Sequence, residues 1–136
     1  MNVVIIDAQG GGIGRQLVSA IRKAMPELEL TAIGTNTAAT SAMLAAGAAN
    51  AATGENAVKV ACRTADVILG PVGIVIADSL MGEVTPEMAK AVGQSRANRI
   101  LIPFDNCNNI IIGASGLPVG KRIAAAVEKL QELANT

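Results

Sequence analysis

The chain has no histidine, no tyrosine and no tryptophan, and Phe104 is its one aromatic residue. These absences exclude whole chemistries. Without histidine there is no Ser-His-Asp or Cys-His catalysis and no histidine metal site. Without tyrosine there is no phenolic acid or base. The apolar core must come from Val, Ile, Leu, Ala and Met, and alanine alone supplies 25 of the 136 residues. Charge is scarce too: Asp, Glu, Lys and Arg make up 16%, against about 25% in an ordinary soluble domain. Mean hydropathy is +0.44. Such a chain either buries an unusual share of itself or turns apolar surface toward another subunit, so the composition predicts a homo-oligomer, a dimer first.

Eleven basic residues balance eleven acidic ones, and residues 1–68 and 69–136 are each balanced as well. No basic arm exists to meet phosphates along a duplex and no aromatic set to stack on bases, so no nucleic-acid partner is expected. The longest apolar run, Val67 to Ala77, falls short of the roughly 20 residues of a membrane span and contains Gly70, Pro71 and Gly73. No membrane partner is expected. Cys62 and Cys107 are spaced as in no zinc or redox motif. Paired with an opening that leads straight into a strand-like run, they read as reduced thiols in a cytoplasmic protein.

The length suits one domain, residues 1–136. Val3 to Ile6 is a β-branched run of the kind buried on both faces of a parallel sheet. From Ile13 the period lengthens, and Leu17, Val18, Ile21, Ala24 and Met25 share one helical face until Pro26 ends it. Leu28–Gly34, a short stretch within 48–53, Val67–Leu69 and Arg99–Phe104 read as further strands. Ala38–Ala46 closed by Gly47, Ala57–Thr64, a helix opened by Thr85-Pro86, and Pro118–Ala134 read as helices. Residues 73–82 fit either a strand or a helix start. Strands alternating with helices predict an α/β fold, a Rossmann-like three-layer sandwich with a mainly parallel sheet. Ile110–Ile112, close behind Arg99–Phe104, suggests an antiparallel hairpin over residues 99–113.

The sharpest local signal is Asp7-Ala8-Gln9-Gly10-Gly11-Gly12-Ile13-Gly14-Arg15, between the first strand and helix. Glycines there allow close backbone approach, and the helix start offers amides and a dipole to a phosphate, with Arg15 adding a fork of donors. The match to named fingerprints is partial. Arg15 stands where a G-x-G-x-x-G pattern has its third glycine, and Arg15-Gln16 replace the Lys-Ser/Thr of a P-loop. A second turn, Gly34-Thr35-Asn36-Thr37, carries neutral groups where dinucleotide domains place an acid for the ribose. A third, Gly70-Pro71-Val72-Gly73, ends another strand. In a parallel sheet the three turns meet at the carboxyl edge, where ligands bind. The site read from the sequence is therefore Asp7, Gln9 to Arg15, Gly34, Thr35, Asn36, Gly70, Pro71 and Gly73. Asn106, Cys107 and Asn108 are secondary candidates in a polar loop; Asp78, Glu83 and Glu55 are further carboxylates that read equally as caps or solvated charges, and Cys62 reads as core.

Several segments together resemble a bacterial family catalogued only as a domain of unknown function. They are Ile6 to Gly14, Gly34 to Met43, Ala52 to Ala57, Gly70 to Ile74, Met81 to Pro86, Ile102 to Phe104 and Asn106 to Asn108. The resemblance spans nearly the whole chain and implies no activity, so function must come from the residues. Three readings follow. The first is a binder of a small phosphorylated ligand, with a nucleotide or dinucleotide as cofactor, held by the glycine-rich turn. The second is an oligomeric subunit whose glycines only shape turns. The third is a small enzyme using a carboxylate or the Cys107 thiol. Convergence of three turns favours the first.

Overall fold

A computed structural model describes residues 1–104, 108–114 and 116–136. In chain order these form β1 (Val3–Asp7), α1 (Gly12–Ala24), β2 (Leu30–Gly34), α2 (Thr37–Ala46), β3 (Asn50–Thr53), α3 (Glu55–Thr64) and β4 (Val67–Pro71). A 3-10 turn (Val72–Val75), α4 (Pro86–Gln94), β5 (Asn98–Ile102) and α5 (Val119–Ala134) follow. The strands make one parallel sheet in the order β3-β2-β1-β4-β5. The chain winds outward from β1 through β2 to β3, then crosses back to β4 and β5. Between β1 and β4 the winding reverses, which makes their carboxyl ends the switch point of the fold.

Side chains alternate across a strand, so β1 feeds both layers. Val3 and Ile5 pack with Leu17, Val18 and Ile21 of α1, Met43 of α2, and Ile123, Val127 and Leu130 of α5. Val4 and Ile6 pack with Val58 and Cys62 of α3 and Met88 and Val92 of α4. All five residues of β1 and of β4 are buried. Each fully buried Ile or Leu adds about 1.5–3 kcal/mol, so a core without large aromatics is built from many such increments. Helix ends obey local chemistry. Thr85 Oγ1 accepts the amide of Met88 with Pro86 at the first helical position, and Gly47 closes α2 at a φ of 124°.

Two expectations change. Residues 73–82 are neither strand nor regular helix; after the 3-10 turn they form a compact loop. The antiparallel hairpin over 99–113 does not form among the described residues. Ile110 and Ile112 are 79% and 92% exposed, and residues 112–113 turn. Arg122 on α5 donates from Nη1 to the carbonyl of Pro103 at 2.7 Å and from Nη2 to that of Ala114, so these two carbonyls are held by α5. β-Propensity alone does not make a strand; tertiary context decides.

Candidate functional site

Asp7 ends β1 on the same face as Val3 and Ile5, and so points at the start of α1. It is only 4% exposed. Its Oδ1 accepts the amide of Ala8 at 2.7 Å and its Oδ2 that of Gly14 at 2.6 Å. Asp7 thus caps α1 from the preceding strand, at a helix whose N-cap, Gly11, has no side chain. Burial raises the Asp7 pKa; the amides of Gly14, Ala8 and Ile13 oppose that rise, and the nearby Glu83 carboxylate adds to it. Amides expected to greet a phosphate are therefore held by the protein's own carboxylate. Those of Gly10 and Gly12 make no hydrogen bond among the described residues.

The glycines of this turn divide by what surrounds them. Gly11 sits at a φ of 72°, and a Cβ there would lie 2.9 Å from the Ala39 Cα. A Cβ on Gly14 would lie 2.5 Å from Met43 Sδ and 2.9 Å from Asp7 Cβ. Both serve packing of α1 against α2 and β1. Gly10 and Gly12 have nothing within 4 Å of a Cβ and no positive φ. Nothing within the described chain requires glycine at either.

Gly10 and Gly12 face a cleft of about 420 Å³ at the switch point. Its polar side is Asp7, Gln9, the Gly10 and Gly12 backbone and Gln16; its apolar side includes Val72, Leu80, Phe104 and Val119, the first residue of α5. Two helices, α1 and α5, start at its rim, so two positive dipole ends face it. Its size falls in the range of small-ligand sites, about 300–1,000 Å³.

Beside the cleft lies a second cluster. Glu83 Oε1 accepts the amide of Gln9 at 2.8 Å, the Thr35 hydroxyl at 2.8 Å and the Asn36 side-chain amide at 2.7 Å. Asn36 also donates to the carbonyl of Gln9 at 3.0 Å and caps α2 through Oδ1 on the amide of Ala39. Burial pushes the Glu83 carboxyl up, but these three donors outweigh it and hold the group below its ordinary value. The loop delivering Glu83 carries positive φ at Asp78, Leu80, Met81 and Gly82. It closes on itself through Asp78 N to Val84 O at 2.7 Å and Ser79 Oγ to the carbonyl of Gly73. An acid does stand over the end of β2, but it comes from the β4–α4 connection.

Of the residues singled out in the sequence, Asp7, Gln9, Gly10, Gly12, Ile13, Pro71 and Gly73 line the cleft. Thr35 and Asn36 hold Glu83 instead. A Cβ on Gly34 would strike Thr40, and one on Gly70 the carbonyl of Ile6, so close packing governs both. Arg15 is exposed and outside the cleft. Asp78 and Asn108 are exposed. Glu55 opens α3, and Asn106 and Cys107 lie outside the described residues. Cys62 is buried in α3, where desolvation pushes its thiol up to about 11. Ala8, Gln16, Val72, Leu80, Phe104 and Val119 line the cleft but stood outside that set; Ala8 and Val72 lay within the quoted turns and Phe104 was the solitary aromatic. Among the described residues no cluster of His, Cys, Asp or Glu could hold a metal ion, and no helix is long and apolar enough to cross a membrane.

The fold is similar to that of a dodecameric FMN-dependent UbiX-like decarboxylase from Escherichia coli O157:H7, with a TM-score of 0.55 at 16% identity, over 100% of this chain and 96% of that one. No curated protein matches the sequence. The sequence profile described as Domain of unknown function (DUF3842) matches residues 2–135, so the chain belongs to that family.

Proposed function

We propose that the protein binds a phosphorylated mononucleotide in the cleft between the ends of β1 and β4. The observation that carries this reading is the pair Gly10 and Gly12, which face the cleft with open Cβ positions and unpaired amides among the described residues. Those amides, the Gln16 side chain and the two helix starts would hold the phosphate. Val72, Leu80, Phe104 and Val119 would cover an aromatic ring. FMN is the first ligand to try, because the similar fold above belongs to an FMN-dependent protein. While Glu83 is clasped, the end of β2 is closed to a dinucleotide's ribose, which favours the shorter ligand.

The test is titration of apo-protein with FMN, followed by flavin fluorescence. Saturable binding by wild type, lost in Gly12→Val while its circular dichroism stays native, supports the reading. Failure of FMN, AMP and GMP to bind folded wild type sinks it. An assembly role has its own support. Met81, Ile110, Ile112 and Leu117 are exposed apolar residues on the two connections at the sheet's carboxyl edge, consistent with a homo-oligomer whose subunits meet near the cleft.

A further inference from the structure

We propose that the Gln9 amide, the Thr35 hydroxyl and the Asn36 side-chain amide form an oxyanion subsite, and that Glu83 is its displaceable internal occupant. Three donors from two separate turns converge on one oxygen, Glu83 Oε1, at 2.7–2.8 Å. That is how a protein holds a phosphate oxygen, and a carboxylate is the nearest side-chain substitute. The donors are fixed independently of their guest. Thr35 is anchored by its amide to the carbonyl of Asp7 at 3.0 Å, and Asn36 by its cap on α2 and its bond to the Gln9 carbonyl. The occupant comes from a separate loop, which carries positive φ at Asp78, Leu80, Met81 and Gly82, three of them not glycine. Displacing the carboxylate surrenders three hydrogen bonds, which a phosphate oxygen in the same place regains.

Gln9 belongs to both the cleft and this subsite. A ligand seated in the cleft reaches the subsite only by carrying a second anionic group past Gln9. The inference rests on the mononucleotide reading and refines it: the ligand class that displaces Glu83 is a nucleotide bearing a second phosphate, whereas a single phosphate in the cleft leaves Glu83 in place.

The test uses the full chain, with inorganic phosphate as probe and ¹⁵N–¹H spectra reporting the Gln9 amide. Glu83→Ala and Glu83→Gln remove or neutralise the occupant. Glu83→Ala should bind phosphate at least about tenfold more tightly than wild type, the factor for an open state populated about one-tenth of the time, and Glu83→Gln, which keeps an acceptor oxygen, should gain less. The Gln9 resonance should move on titration, and adding Asn36→Ala should abolish the gain. A folded Glu83→Ala variant that gains no phosphate affinity overturns the proposal, as does a gain that survives Asn36→Ala. FMN titration of the same variants separates the two readings. FMN binding without a phosphate gain retains the cleft and discards the subsite. A phosphate gain without FMN binding retains the subsite and discards the mononucleotide.

Discussion

Within one turn, Gly12→Ala and Gly14→Ala should have opposite effects on stability. At Gly12 a Cβ meets nothing within 4 Å and the backbone is already helical. Alanine there restricts the unfolded chain and should stabilise by about 0.4–1 kcal/mol. At Gly14 the new Cβ would lie 2.5 Å from Met43 Sδ and 2.9 Å from Asp7 Cβ, and Met43 is fully buried. Overpacking of this kind costs about 1–3 kcal/mol. Moving Asp7 also weakens its 2.6 Å bond to the Gly14 amide, and a hydrogen bond to a charged group is worth about 1.5–3 kcal/mol. The helix-propensity gain of alanine over glycine returns about 1 kcal/mol. Gly14→Ala should therefore lose about 1.5–5 kcal/mol net, placing the two variants about 2–6 kcal/mol apart. With a urea m-value of about 1–3 kcal/mol/M, their midpoints should differ by more than about 0.6 M. Urea unfolding followed by circular dichroism measures this directly. Equal destabilisation by both substitutions, or none by Gly14→Ala, refutes the division into packing and cleft-facing glycines.

Asp7→Asn replaces one acceptor by a donor against the Ala8 and Gly14 amides, and should cost about 1–3 kcal/mol in urea unfolding. Glu83 has its folded-state pKa held below the ordinary 4.5, so the stability it adds is present above pH 4.5 and is lost as pH falls through the folded value. The stability gap between wild type and Glu83→Gln should shrink below that pH, and a gap constant from pH 7 down to 3 contradicts the clasp. Asp7 has the opposite sign: its raised pKa favours the folded state below the ordinary 3.8, and that advantage is lost as pH rises through the folded value. Asp7→Asn should remove this opposing slope from the acid limb of the same titration. Cys62, buried with its thiol at about 11, should stay unalkylated by iodoacetamide at pH 8 in native protein and react once unfolded, as read by peptide mass mapping. Native mass spectrometry should find an oligomer that Met81→Glu with Ile112→Glu converts to monomer; a wild-type monomer ends the assembly reading.

Much of the fold was legible because local rules and tertiary packing agree. The apolar run Val3–Ile6 marked the central strand, since only a strand covered on both faces tolerates β-branched residues at every position. The period change at Ile13 marked α1, Thr85-Pro86 marked the start of α4, and Gly47 the end of α2. Each feature depends on neighbours a few residues away. The β-branched Ile110–Ile112 misled, because β-propensity is a weak local preference and tertiary context decides whether such a run joins a sheet.

The sequence by itself determined the alternation of strands and helices and the presence of a glycine-rich turn after the first strand. Tertiary structure alone decided what that turn does. Strand parity aimed Asp7 at α1 and filled the amides of Ala8 and Gly14, leaving those of Gly10 and Gly12 without a partner among the described residues. Packing against α2 set Gly11 and Gly14 apart from Gly10 and Gly12. A loop 74 residues away brought Glu83 onto Gln9, Thr35 and Asn36. Periodicity and capping act within a turn or two of chain, whereas a site at a switch point is assembled by the order of strands, and that order follows from how both faces of the sheet are covered at once.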